Sequence, residues 1–146
     1  MVTARDIMQT EVVTCTPETP LAELARQMLD RGVSGVPVVD TGGRVVGVVT
    51  ENDIIESHQE LRFPTVVALF DAILYVESPR HFEERVRKAA ATTAGELMHA
   101  PPITVGPEAT LEEIATVMTR HGVHHLPVVE GGRLVGIVGK ADVVRG

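Results

Sequence analysis

The chain contains an internal repeat that covers most of its length. The sequence "GVSGVPVVDTGGRVVGVVTENDII" at residues 32–55 returns as "GVHHLPVVEGGRLVGIVGKADVV" at residues 122–144. Corresponding residues lie 90 positions apart before the glycine pair and 89 apart after it, as for Asp53 and Asp142. Insertions are tolerated best in surface turns, so this change indicates a hairpin turn at the glycines. The sequence therefore predicts two halves with the same fold.

Each copy has the same order of predicted elements. A capping-box pattern at Thr3 and Thr93 precedes a short extended segment. The next segment has the apolar i, i+3, i+4, i+7 spacing of an amphipathic helix, with the residues Leu21, Leu24, Ala25, Met28, Leu111, Ile114, Ala115 and Met118. Thr19 with Pro20 marks the start of the first of these helices, and Gly32 and Gly122 are suited to end them. Two valine-rich strands and a final helix follow, which predicts an α/β fold, β-α-β-β-α in each half.

An insertion, residues 57–92, separates the first unit, residues 1–56, from the second, residues 93–146. The insertion holds every aromatic residue of the chain and a wide apolar helical stripe: Phe63, Val66, Val67, Phe70, Ile73 and Leu74. One interpretation is a helical hairpin that packs on the two halves. The other is the contact surface of a homodimer, since an apolar stripe of this width needs a cover. The two interpretations are compatible.

The composition excludes several classes of function. The net charge of −7, from 13 basic and 20 acidic residues, argues against nucleic acid as the main partner. No apolar run approaches the roughly 20 residues of a membrane span, and the first residues lack the pattern of a signal peptide. We therefore expect a soluble cytoplasmic protein with no membrane contact. Its single cysteine, Cys15, is expected to be a buried free thiol.

The motif "GVPVVDTGGRVVGVVTEND", together with Pro17 and the helix at Leu21, resembles the cystathionine-β-synthase (CBS) domain family. The resemblance covers about residues 2–56 and 93–146 and is closest to a stand-alone pair of such domains. It implies two pseudo-symmetric repeats packed through their sheets. It also implies a cleft that binds an adenosine-containing ligand such as AMP, ADP, ATP or S-adenosylmethionine, and a regulatory role toward an unknown effector protein.

Thr50 and Asp53 are the main candidates for ligand contact. A carboxylate can accept hydrogen bonds from both hydroxyls of a ribose, and the helix start at Thr50 favours a nearby phosphate. The same spacing is also that of a simple helix cap. The family resemblance favours the ligand role, with the remaining contacts coming from the second repeat: Ile103, Thr104, Val105, Val123, His124 and His125.

A second site is expected around Asp142, by the same resemblance. Its further contacts would be Val13, Thr14, Cys15, Val33 and Ser34. Gly139 replaces the threonine of the first copy, so one hydroxyl contact is lost and we predict the Asp142 site to be the weaker one. Lys140, Arg44 and Arg133 are candidates for phosphate contact, or are simply solvent-exposed charges.

The histidines raise the question of metal binding or catalysis. His121, His124 and His125 have helical spacing, but Gly122 ends the helix and no carboxylate or cysteine lies in the same run. Metal binding is therefore not favoured, and the resemblance implies instead that His124 and His125 can face a phosphate in the cleft. The sequence shows no pattern that pairs His99 with another residue. No nucleophile elbow, phosphate loop or dinucleotide fingerprint is present. We expect a binding protein rather than an enzyme, and the alternative is a structural dimerisation module whose cleft stays empty.

Overall fold

Each repeat forms a two-stranded antiparallel sheet with helices around it. The computed structural model describes residues 1–57 and 92–146, so the predicted apolar stripe of the insertion lies outside the described residues. The first repeat contains α1 (Ala4–Ile7), α2 (Leu21–Arg31), β1 (Gly35–Val39), β2 (Val45–Thr50) and α3, helical over residues 51–57. The second contains α4 (Ala94–Leu97), α5 (Leu111–His121), β3 (His125–Glu130), β4 (Arg133–Gly139) and α6 (Lys140–Arg145). Within the described ranges no helix has the length and apolar character needed to span a bilayer.

The long helices α2 and α5 begin and end close to the predicted positions. Gly32 and Gly122 adopt left-handed φ values of 64° and 63°, which confirms the predicted helix ends. Thr110 caps α5, because its hydroxyl accepts the Glu113 N–H at 3.1 Å. Thr19 has a different role from the predicted one: its hydroxyl accepts the Thr16 N–H at 3.0 Å in the preceding turn.

The two hairpin turns explain the change in repeat spacing. Gly131 and Gly132 form a two-residue turn with φ values of 59° and 81°, which only residues tolerant of positive φ adopt readily. The first turn has one more residue. There the Asp40 carboxylate accepts the N–H groups of Gly42 and Arg44, both at 2.9 Å. The prediction of a turn at the glycines is therefore confirmed. In the longer first turn, the Asp40 carboxylate provides the acceptor for two backbone N–H groups.

The predicted first strand of each repeat reduces to a single bridge. Cys15 pairs in parallel with Val38, and Val105 pairs in the same way with Val128. Cys15 donates its N–H to the carbonyl of Pro37 at 3.1 Å. The cysteine is free and buried as expected, and burial raises the pKa of its thiol to about 11.

The short helices α1 and α4 pack into the core of the other repeat. Ala4, in the first unit, is fully buried in a cluster with Ile114 and Leu126 of the second unit. Ala94, in the second unit, is fully buried in a cluster that contains Leu24 of the first unit. The two units therefore exchange their leading segments, and each hydrophobic core is completed by the other repeat.

The exchange also extends the edge of each sheet. Gln9 donates its backbone N–H to Ile137 at 2.8 Å, and His99 donates its own to Val48 at 2.9 Å. Gln9 and His99 occupy corresponding positions in the two units. Each of these side chains consequently lies beside the last strand and helix of the opposite repeat.

Gly47 on β2 is required for close approach of the exchanged segment. A Cβ at this position would lie 2.5 Å from Sδ and 2.9 Å from Cβ of Met98. We expect Gly47→Ala to lower the free energy of unfolding by about 1–3 kcal/mol, the usual cost of overpacking a core. The measurement is urea unfolding. Gly106→Ala is the control, because a Cβ there meets nothing within 4 Å. Equal stability of the two variants would contradict this packing.

Candidate functional site

A cavity of about 380 Å³ lies between the two repeats. One wall is the junction of β2 and α3, and the other is formed by the loop after α4 and by the end of α5. The volume lies within the range of small-molecule sites, about 300–1,000 Å³. The lining residues are Ser34, Val48, Thr50, Glu51, Asn52, Asp53, Glu56, His99, Pro101, Pro102, Ile103, His121, Gly122, Val123, His124 and His125.

Most residues predicted for the Asp53 site meet in this cavity. The residues of that prediction that line it are Thr50, Asp53, Ile103, Val123, His124 and His125. Thr104 and Val105 are not among the lining residues, and Val105 packs instead against the second core. Ser34, which the resemblance placed at the Asp142 site, lines this cavity as well.

The carboxylate of Asp53 lies at the centre of the site and is only 6 % exposed. Its Oδ2 accepts the backbone N–H of Thr50 at 2.7 Å and the Thr50 hydroxyl at 3.0 Å. These bonds are those of a helix cap, the simpler of the two interpretations of this pair. A carboxylate has about four acceptor positions. The cap therefore leaves Oδ1 available to other donors.

The available oxygen is held by a residue that the sequence did not identify. Nε2 of His99 lies 2.6 Å from Oδ1 of Asp53, and the His99 side chain is 73 % exposed. The sequence shows no pattern that pairs these two residues. Its ring reaches Asp53 because the segment after α4 joins the edge of the first sheet. The repeat contained a signal for this contact, because His99 corresponds to Gln9 and the Gln9 side chain bonds to Asp142, the counterpart of Asp53.

Asp142, the counterpart of Asp53, also accepts three bonds. Its Oδ2 accepts the N–H of Gly139 at 2.8 Å, and its Oδ1 accepts the Gln9 amide at 3.0 Å. The guanidinium of Arg145 also bonds to Oδ1. Both acceptor positions of this oxygen are therefore occupied, one of them by a permanent positive charge.

Three other residues predicted for the Asp142 site lie as follows. Val13 and Thr14 line a separate cavity of about 430 Å³ whose lining does not include Asp142. Val33 packs against the first core. Lys140, a candidate for phosphate contact, is exposed at the start of α6.

His125 closes the base of the cavity by a contact between the repeats. Its Nε2 lies 2.7 Å from the hydroxyl of Ser34. The ring covers Gly35, where a Cβ would lie 2.6 Å from Cγ of His125. Burial lowers the pKa of His125, and the neighbouring His124 lowers it further, whereas Glu51 raises it. The neutral imidazole is therefore the form that the folded protein favours.

This pKa shift predicts a pH dependence of stability. The folded pKa of His125 lies below the unfolded one, so the unfolded state binds the proton more readily. The free energy of unfolding should be highest above about pH 6.5 and fall as the pH drops below that value. We expect His125→Gln, which keeps a partner for Ser34, to reduce the slope of urea stability between pH 7.5 and 5.5. His121→Gln, at an exposed position of the same cavity, is the control. An unchanged slope in His125→Gln would contradict the assignment.

Within residues 1–57 and 92–146, no group of three or more histidine, cysteine or acidic side chains has the geometry to hold a metal ion. The histidines of the cavity instead contact neighbouring side chains, as His99 does with Asp53 and His125 with Ser34.

Comparison with known proteins extends these observations. The CBS domain family model matches residues 4–60 and 94–146. Inosine-5′-monophosphate dehydrogenase of Korarchaeum cryptofilum is 32% identical over 134 residues, which are 91% of this chain and 22% of that enzyme. Hypoxic response protein 1 of Mycobacterium tuberculosis is 29% identical over 145 residues, 99% of this chain and 85% of that protein.

Solved structures show the same fold. A crystal structure of CBSX2 in complex with AMP has a TM-score of 0.75 and 25% sequence identity, and the alignment covers 99% of this chain and 95% of that one. CBSX2 is a CBS-pair protein of Arabidopsis thaliana. A structure of Hypoxic Response Protein I with two coordinated zinc ions has a TM-score of 0.69 and 28% identity, with 99% and 98% coverage. The family match spans both repeats, and the chain belongs to the CBS domain family, with its two units forming a CBS domain pair.

Proposed function

We propose that this protein is a regulatory module that binds an adenosine-containing ligand in the cavity at Asp53. The observation that supports this most strongly is the position of a buried carboxylate, with Thr50 beside it, at the wall of a cavity between the repeats. A purely structural pair needs this carboxylate only as the cap of α3, and capping does not require it to line a cavity. The AMP complex of CBSX2, which has the same fold, is consistent with this class of ligand.

The ribose would be held by Asp53 and Thr50. Among the described residues, the donor to Oδ1 of Asp53 is His99, whose largely exposed side chain a ligand would displace in this proposal. Two ribose hydroxyls can then donate to the carboxylate in charge-assisted hydrogen bonds. Thr50 directs its hydroxyl proton to Asp53, so the lone pairs of that oxygen remain available as acceptors.

The adenine ring would lie between aliphatic side chains. Ile103 and Val123 from the second repeat line the cavity, and Val48 lines it from the first. None of the lining residues that the structure describes is a phenylalanine, tyrosine or tryptophan. Aliphatic faces with backbone groups at the ring edge therefore recognise the base in this proposal.

A ligand in this cavity touches both repeats, so it favours the relative arrangement of the repeats that it contacts best. The protein would report this change to an effector protein in the cytoplasm. Adenosine, AMP, ATP and S-adenosylmethionine at 100 times the dissociation constant test this role, because a ligand that binds should add roughly 2.7 kcal/mol to thermal stability. If melting responds to none of them, the structural module is the better account. A response to zinc alone would favour a metal-binding role.

We further propose that the protein is a homodimer in which the apolar stripe of the insertion contributes contacts. The support is the sequence pattern of residues 63–74, since an exposed stripe of that width requires a cover. Phe70→Glu is expected to shift the mass in solution toward the monomer, measured by sedimentation at micromolar concentration. A wild-type protein that sediments as a monomer at high micromolar concentration would contradict the proposal.

A further inference from the structure

The first repeat supplies several negative charges to the cavity. Glu51, Asp53 and Glu56 all line it, and among the lining residues that the structure describes there is no lysine or arginine. Sites for di- and triphosphates normally rely on such cations to neutralise the ligand. The fixed charges at this wall are therefore unfavourable to a polyphosphate.

The start of α3 is also poorly suited to a phosphate. A helix N-terminus binds anions through backbone N–H groups that point at the ligand. Here the Thr50 N–H donates to Asp53 at 2.7 Å, and the Glu51 N–H donates to the carbonyl of Ser34 at 2.9 Å. Two donors at this helix start are therefore already engaged within the protein.

The fold does not require these acidic residues. Position 51 corresponds to Lys140 in the second repeat, and position 56 corresponds to Arg145. α3 forms with the acidic residues and α6 with the basic ones, so the repeats differ here in electrostatics while both form a helix. The simplest function of this difference is to select ligands by their charge at the cavity near Asp53.

The second repeat contributes four histidines to the cavity. His99, His121, His124 and His125 line the cavity. Imidazole ordinarily loses its charge above about pH 6.5, and His125 favours the neutral form. These side chains can offer hydrogen bonds to a ligand.

Building on the proposed function, we infer that the ligand carries an uncharged or positively charged group at the 5′ carbon of its adenosine. Adenosine itself, a thioether nucleoside and an adenosyl sulfonium belong to this class, whereas AMP, ADP and ATP do not. The ribose and base contacts remain those proposed above. Glu51, Asp53 and Glu56 then disfavour ligands that carry a negatively charged group at the 5′ carbon of the ribose.

The test is calorimetric titration of the full chain with adenosine and with ATP, at pH 8 and without magnesium. For the wild type we expect adenosine to bind at least about tenfold more tightly than ATP, because like charges at this separation repel. Glu51→Lys combined with Glu56→Arg gives the first repeat the charges of the second. This variant should raise the affinity for ATP relative to adenosine by about tenfold or more.

The matched control is Glu23→Lys combined with Asp30→Arg, which changes the net charge equally at exposed positions of α2 outside the cavity. It should leave the ratio of the two affinities near that of the wild type. ATP binding as tight as adenosine binding in the wild type, or an unchanged ratio in the Glu51 and Glu56 variant, would overturn the inference and leave the proposed site intact. Absence of binding by adenosine, ATP and S-adenosylmethionine alike would overturn the proposed function, and the inference with it.

Discussion

Replacement of Asp53 by alanine is expected to weaken adenosine binding by about 1.5–3 kcal/mol, the scale of hydrogen bonds to charged groups. The alanine removes the acceptor for the ribose hydroxyls and also the partner of the Thr50 N–H. Asp53→Asn separates the two effects, because the amide oxygen still accepts from Thr50 while the charge is lost. Thermal melting with and without adenosine measures the loss, and circular dichroism confirms that the fold persists.

Asp142→Ala is the matched control for this experiment. Asp142 is equally buried, but its Oδ1 is occupied by Gln9 and Arg145. Its replacement should therefore alter ligand binding much less than that of Asp53. If Asp142→Ala abolished binding while Asp53→Ala had no effect, the working cleft would be the second one, and Asp53 would serve only as a helix cap.

A charge placed in an exchanged segment is expected to unfold both repeats together. Ala94 is fully buried in the core of the first repeat, although it belongs to the second. Ala94→Asp should cost about 3 kcal/mol or more, since a buried carboxylate without a partner is strongly destabilising. That is a large part of a typical total stability of about 5–15 kcal/mol. Because α1 likewise completes the second core, the loss should spread from one repeat to the other.

Amide hydrogen exchange in β1 and β3 distinguishes this outcome from independent unfolding. In Ala94→Asp, protection should fall in both strands to a similar degree. Ala22→Asp, on the exposed face of α2, is the control and should leave both strands protected. Loss of protection in β1 with full protection in β3 would show that the repeats are energetically separate and that the exchanged segments do not couple them.

The sequence predicted the local structure well because its signals were local. Helix ends at Gly32 and Gly122 and the glycine turns follow from backbone conformations that few other residues adopt. The exchange of α1 and α4 was not predicted. The two units carry the same apolar pattern, so the pattern cannot tell whether a segment packs on its own copy or on the other.

The same limit applies to the site. The repeat pointed to Thr50 and Asp53, and the glycine at position 139 indicated a weaker second site. That the Asp142 site is weaker stays a prediction, and the bond between Arg145 and Asp142 is a contact that the sequence did not indicate. His99 was missed because its contact with Asp53 depends on the exchange of α1 and α4. The negative charge at the cavity was missed because Glu51 and Glu56 resemble ordinary exposed helix residues.

The central claim, one adenosine site formed by the first repeat's carboxylate, is tested most directly by equilibrium dialysis with radiolabelled adenosine. We expect the wild type to bind one adenosine per chain saturably. This binding should be retained in Asp142→Ala and lost or strongly weakened in Asp53→Ala. Two equal sites per chain, or one site of unchanged affinity in Asp53→Ala, would contradict it.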